Sequence, residues 1–346
     1  MVSLPIMRKI GFKNIGYDPQ IDYVKGLCII FVIWTHALNR KELGLILFPY
    51  WGDTAVPIFL IIQAFHYYKK GIDIRMPSLL MLWKRIMQPF IIMIALTFLV
   101  QFFLYYDITD GNFSPSFYWN KRGAGSYYIF MYLEFALLIP LFVPLFKKLS
   151  VKWALLFFII LSQLLEFISC ITHCPDNIYR ILFFRYTFLI FIGYLLATKR
   201  IVINKVTMCW GLIGIISLYI FNYTNIDMEP LFYTSLLNWK YCHWICYLYI
   251  AYIFLWFLKY TYSLFNNNII MLKYLIIIGK NSYEIYIFQI FYYATLYRPV
   301  NNTLFFVDEY YPVKRILYLV LSTIICIVPV IILRNKNKNK SEKPSI

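Results

Sequence analysis

The chain has 346 residues, 61% of them apolar and 14% charged, and a mean hydropathy of +0.65. A soluble domain carries about 25% charged residues, so this composition excludes a string of soluble domains and predicts an all-α, polytopic membrane helix bundle in a lipid bilayer. The formal net charge of +17 does not point to nucleic acid, because the basic residues fall in short segments between apolar stretches, where they set topology.

Residues 1–22 carry Arg8, Lys9, Lys13 and Asp18 and no apolar core before Val24. They read as a cytoplasmic segment without a cleavable signal peptide. Apolar stretches then follow at 23–39, 54–68, 83–106, 127–146, 153–171, 181–198, 206–222, 241–260, 274–296 and 315–333, giving a membrane domain over 23–333 with about ten transmembrane helices. The second stretch is short for a straight span and is a candidate for a broken or re-entrant one. The tail from 334 to 346, RNKNKNKSEKPSI, reads as basic and disordered. Lys and Arg in alternate segments starting from the N-terminus number 22, against 9 in the other set. That asymmetry places both termini in the cytoplasm.

The first stretch reads DYVKGLCIIFVIWTH and holds Lys25 and His36 eleven positions apart. At 3.6 residues per turn both lie on one face, about 16 Å apart along the axis. A cation and a base on one stripe of a membrane helix are expensive and read as functional. A lone intramembrane histidine is as often a structural hydrogen-bonding group; the shared face with Lys25 shifts the balance. Asp53, in WGDTAVP, opens the second stretch. It either orients the His36 imidazole across the short hairpin or caps the next helix. Lys84 and Arg85, in WKRIMQP, stand at the inner mouth of the third stretch, either as plain topology signals or as part of a basic vestibule with Lys25, Lys69 and Lys70.

Farther along, Arg185 lies deeper than Arg180 and needs an anionic partner. Glu134, Glu166 and Glu284 are the intramembrane carboxylates available, for structural ion pairs or for substrate contact. The outer segments are rich in aromatics, including Tyr50, Trp51, Tyr118, Trp119, Trp239, Tyr241, Trp244, Tyr310 and Tyr311. Interfacial anchoring accounts for most of these, and a few have the shape to stack on sugar rings. Two C-x3-C pairs, Cys170/Cys174 and Cys242/Cys246, lack a strong zinc spacing, and no metal is expected.

The chain resembles the acyltransferase 3 family of ten-span membrane acyltransferases. The resemblance rests on Lys25 and His36 in the first stretch, GDTAVPIFLIIQAF (52–65), GAGSYYIFMYLEF (123–135), RYTFLIFIGYLLA (185–197) and IGKNSYEIYIFQ (278–289). It departs from the family at Gln63-Ala64, where Ser-Gly is usual, and at Gln88, where a second Arg is usual. The resemblance implies transfer of an acyl group, acetyl above all, from cytosolic acyl-CoA to a hydroxyl of a glycan or lipid-linked sugar beyond the inner membrane of a bacterial cell. His36 would be general base or acyl relay, with Asp53 orienting it. Lys25, Lys84 and Arg85 would bind the donor. Arg185, Glu134 and Trp51 are candidates to contact the acceptor. The competing reading is an exporter or flippase of a glycan or lipid-linked oligosaccharide, although no inverted repeat is visible. A homo-oligomer stays open.

Overall fold

In the computed structural model of the chain, the described residues are 18–70, 76–105, 125–223, 243–266, 270–296 and 311–341. Among them the fold is all-helical, with no strand. The helices are α1 (Pro19–Ala37), α2 (Arg40–Leu45), α3 (Ala55–Lys70), α4 (Met76–Leu82), α5 (Gln88–Tyr105), α6 (Tyr127–Lys148), α7 (Val151–Ile171), α8 (Asp176–Ile181), α9 (Thr187–Ala197), α10 (Lys205–Tyr223), α11 (Cys246–Asn266), α12 (Ile270–Lys280), α13 (Ser282–Thr295) and α14 (Tyr311–Ser341). Four helical stretches, Leu79–Phe103, Tyr127–Phe146, Val151–Ile171 and Val313–Asn335, are long and apolar enough to cross a membrane. The loop aromatics Tyr118, Trp119, Trp239, Tyr241 and Tyr310, together with Cys242, lie outside the described residues.

The elements follow from local chemistry. Asp18 starts α1 by accepting the Gln20 amide, with Pro19 at the first helical position, where its missing N–H matters least. Asn39 and Glu42 close a reciprocal capping box on α2. Glu42 also takes a two-pronged bond from Arg315, at 2.6 and 3.2 Å, which ties α2 to α14. The stretch expected as one span over 274–296 is instead two helices meeting at Asn281, whose side-chain amide turns back to the Ile277 carbonyl. The last helix continues through Ser341, beyond residue 333, where a disordered tail was expected to begin. The second stretch is one unbroken helix.

Packing is organised around α1, α3 and α9. Every residue of α9 from Thr187 to Leu195 is buried. α3 lies between α9 and α1, touching both as well as α6. α1 is in turn surrounded by α3, α11, α12, α13 and α14. The peripheral helices show the opposite pattern. Along α5, Ile91, Ile92, Leu96, Leu99 and Phe103 are exposed while Phe90, Met93 and Thr97 are buried, so one apolar stripe faces out and another faces in.

The tightest crossing is that of α1 on α12. A Cβ at Gly279 would fall inside the Asp22 carbonyl, and one at Gly26 inside the Leu275 carbonyl. Small residues that let two backbones touch replace hydrophobic collapse as the association force where the surroundings are apolar. Gly279→Val should therefore destabilise the protein by roughly 3 kcal/mol through forced separation of the two helices. Thermal unfolding in detergent checks this, with Gly44→Val as the control, since nothing lies within 4 Å of a Cβ there.

Candidate functional site: a histidine above a column of tyrosines

His36 occupies the last turn of α1, on a surface that faces the bundle interior. Its Nε2 faces Gly125, where an added Cβ would sit 3.3 Å away, and its ring centroid is 5.8 Å from that of Tyr293 on α13. Gly125 has φ +83°, a conformation open to glycine at little cost, and its carbonyl accepts the Tyr286 hydroxyl. Tyr293 donates its hydroxyl to the Ile33 carbonyl at 2.9 Å, one turn before His36. The entry turn of α6 and one face of α13 thus form the wall opposite the imidazole.

From that wall a run of tyrosines leads toward the Lys25 end of α1. The Tyr286 ring lies 5.3 Å from Tyr128, and Tyr128 lies 6.2 Å from Tyr132. Gln63 on α3 donates to the Tyr132 carbonyl at 2.7 Å. Tyr283 donates to the Ile86 carbonyl at 2.6 Å. Ile86 belongs to a π-helical turn, Trp83–Met87, between α4 and α5. Such a turn shifts the ladder to i→i+5 and so changes which carbonyls the backbone itself satisfies. Arg85 stands on the same turn, next to the Ile86 whose carbonyl Tyr283 reaches. The column therefore has a cation at one end and an imidazole at the other.

The expected donor cations divide into two places. Lys25 is engaged by Asp22, one turn before it, at 2.5 Å. Lys84 and Arg85 are exposed and line an open groove with Leu80 and Met81. Asp53 makes no hydrogen bond or ion pair with His36 among the described residues. In the turn before α3 the Phe48 carbonyl accepts the amides of Trp51, Gly52 and Asp53, which winds that segment tightly around one oxygen. Burial pushes the Asp53 carboxyl up to about 6.

Trp51 is an anchor within an aromatic cluster, with ring centroids 5.1 Å from Phe31, 6.2 Å from Trp34 and 4.7 Å from Phe48, and its indole N–H is taken by the Ile46 carbonyl. Arg185 is 3% exposed and held among the rings of Tyr186, Tyr127 and Tyr179, at 4.7, 5.5 and 5.8 Å. Tyr179 in turn donates to Glu166, and Glu134 is bonded by the Phe183 backbone, so α6, α7 and the start of α9 bring these polar groups together. Glu284 differs from its reading as an intramembrane carboxylate: it is half exposed and pairs with Arg334 at 3.3 Å. Cys170 is buried with Tyr179, and Cys174 packs against the pair.

Gly125, Tyr128, Tyr132, Tyr283 and Tyr286 lie in the family-like segments 123–135 and 278–289, where the sequence alone assigns them no role. Their signal was weak, because tyrosine is abundant throughout this chain and only the fold selects the ones that line up.

Among the described residues the chain is thus an all-helical bundle in which the His36 imidazole of α1 lies beside Gly125 and Tyr293. The family model for the acyltransferase domain of acyltransferase 3 matches residues 18–334, and the chain belongs to that family. Membership implies acyltransferase activity. No curated protein matches the chain. No solved structure matches it.

Asp53 also gives a pH dependence. Its folded pKa lies above the ordinary value, so its contribution is fully present at low pH and is lost as pH rises from about 3.8 through about 6. Asp53→Asn should unfold at a higher temperature than the parent above pH 6, with the difference vanishing near pH 4; melting curves across that range are the check.

Proposed function

We propose that the protein is a membrane O-acyltransferase of a bacterial inner membrane, crossing it about ten times with both termini in the cytoplasm. It takes an acyl group, acetyl in the simplest case, from acyl-CoA and passes it to a hydroxyl of a glycan or lipid-linked sugar on the far side. The observation that carries this reading is the family match over nearly the whole chain. The inward-facing imidazole and the tyrosine column that joins it to Arg85 support the residue roles.

In this reading Lys84 and Arg85 receive the coenzyme phosphates at the inner mouth. Lys25 adds to that field, but Asp22 already neutralises much of it. The slender pantetheine arm follows the column outward, a distance of about 16 Å along α1. His36 takes the proton of the acceptor hydroxyl as its oxygen attacks the thioester carbon, and CoA leaves as the thiol. A neutral imidazole suits that task, since it can accept a proton without first losing one. Arg185 and Glu134, with Trp51 at the outer rim, are the acceptor-side groups.

Two variants test the roles. His36→Ala should lower kcat by roughly 10²–10⁴-fold, the range for loss of a general base, read as label transferred from acetyl-CoA to isolated surface glycan. Arg85→Ala should raise the apparent KM for acetyl-CoA about tenfold with little change in kcat, and Lys25→Ala by less, because a charge-assisted phosphate contact is lost only in the first. Undiminished transfer in His36→Ala removes the base. Equal KM values in all three forms remove the inner-mouth donor site.

A further inference from the structure

Gln289 is fully buried, with no exposed surface, yet among the described residues neither its amide oxygen nor its amide nitrogen meets a hydrogen-bond partner. A primary amide has two donors and two acceptor sites. Leaving all of them unmet inside a bundle is unfavourable, and in native folds each such group calls for an explanation.

Its neighbours on α13 fix where it points. Tyr286 and Tyr293, three before and four after it, reach Gly125 and the Ile33 carbonyl of α1. Tyr292, three after it, reaches Ser322 on α14 at 3.2 Å. Gln289 lies between those two directions, on the arc of α13 that faces α1. The two helices run the same way. Gly279, just before α13, meets Asp22 near the start of α1, and Tyr293 meets Ile33 and His36 near its end. Gln289 is therefore about 6 Å, one turn, on the inner side of the level where Tyr293 meets His36.

We infer that Gln289 is a catalytic residue whose amide N–H groups hold the thioester carbonyl oxygen during acyl transfer. This rests on the acyltransferase reading above. A donor that enters along the column from Arg85 reaches Gln289 before His36. The carbonyl then lies beside the amide while the acceptor hydroxyl stands at the imidazole. The acceptor oxygen bonds to the carbonyl carbon, its proton goes to His36 Nε2, and the carbonyl π pair moves onto the oxygen that Gln289 Nε2–H holds. Collapse reforms the carbonyl and breaks the carbon–sulfur bond. The departing thiolate takes the proton back from His36, leaving an ester and CoA thiol. A fixed donor in a water-poor site serves such an oxyanion far better than it serves the ground-state carbonyl.

The test uses the full chain with acetyl-CoA as probe. In membranes of the producing cell, which contain the acceptor, Gln289→Met should lower kcat for CoA release about 10²–10³-fold, the usual loss for one oxyanion donor, with KM for acetyl-CoA changed less than twofold. Its thermal midpoint should be unchanged or higher, because an unpaired amide has been replaced by an apolar group of similar shape. A purely structural role for the amide would lower it. For a static view, carbonyl-labelled acetyl-CoA bound to purified His36→Ala should show a lowered carbonyl stretching frequency, restored upward when Gln289→Met is added. Should Gln289→Met not fold, Gln289→Asn withdraws the same amide by one methylene and should still lose at least tenfold in kcat. A variant with parental kcat, or an unmoved carbonyl band, overturns the assignment to Gln289 alone. A parent protein that neither binds nor consumes acetyl-CoA overturns the acyltransferase reading and this assignment with it.

Discussion

The arrangement depends on the backbone contact between α1 and α12. Two glycines, Gly26 and Gly279, bring the helices so close that no Cβ fits between them. That contact fixes the rotation of α1 about its own axis. With Gly26 set against α12, His36 at the far end of α1 comes to lie beside Gly125 and Tyr293. The chain then bends at Asn281 and runs α13 alongside α1, which is how Tyr293 comes level with His36.

Polar groups within such a bundle survive in two different ways. Some are saturated locally: Asp22 with Lys25, Tyr179 with Glu166, and Tyr293 with the Ile33 carbonyl. Arg185 sits among three tyrosine rings, where the negative faces of the rings stand in for part of its lost hydration. These groups stiffen the bundle. The column from Arg85 through Tyr132, Tyr128 and Tyr286 to His36 is of the other kind. Its side chains reach from one helix to another, with Gln63 bonded to the Tyr132 carbonyl, Tyr283 to the Ile86 carbonyl and Tyr286 to the Gly125 carbonyl.

The π-helical turn at Trp83–Met87 belongs to the same logic. A regular α-helix would bury its carbonyls in its own ladder. In the wider turn the Gln88 amide reaches the Trp83 carbonyl while the Ile86 oxygen accepts Tyr283, so the Arg85 end of the column is latched to α13. Arg85 stands on that turn, and its exposed position beside the groove is a consequence of the local geometry as much as of its charge.

The sequence by itself determined the helical class and the pairing of Lys25 with His36 on one helical face, because those follow from composition and from the 3.6-residue period. It also held the motif that marks the family. It could not determine which face of each helix looks inward. In a chain this apolar the outward surface of a helix is as hydrophobic as its buried one; along α5, Ile92 is exposed and Met93 buried with nothing in their chemistry to separate them. For the same reason it did not single out the tyrosines of the column from the others, or Gln289 from the remaining residues of its motif. Nor did it foresee that the Phe48 carbonyl would gather three successive amides in the turn before α3, or that 274–296 would break in two. Those were decided by tertiary contact alone: by which backbones can touch, and by which polar atoms then find a partner.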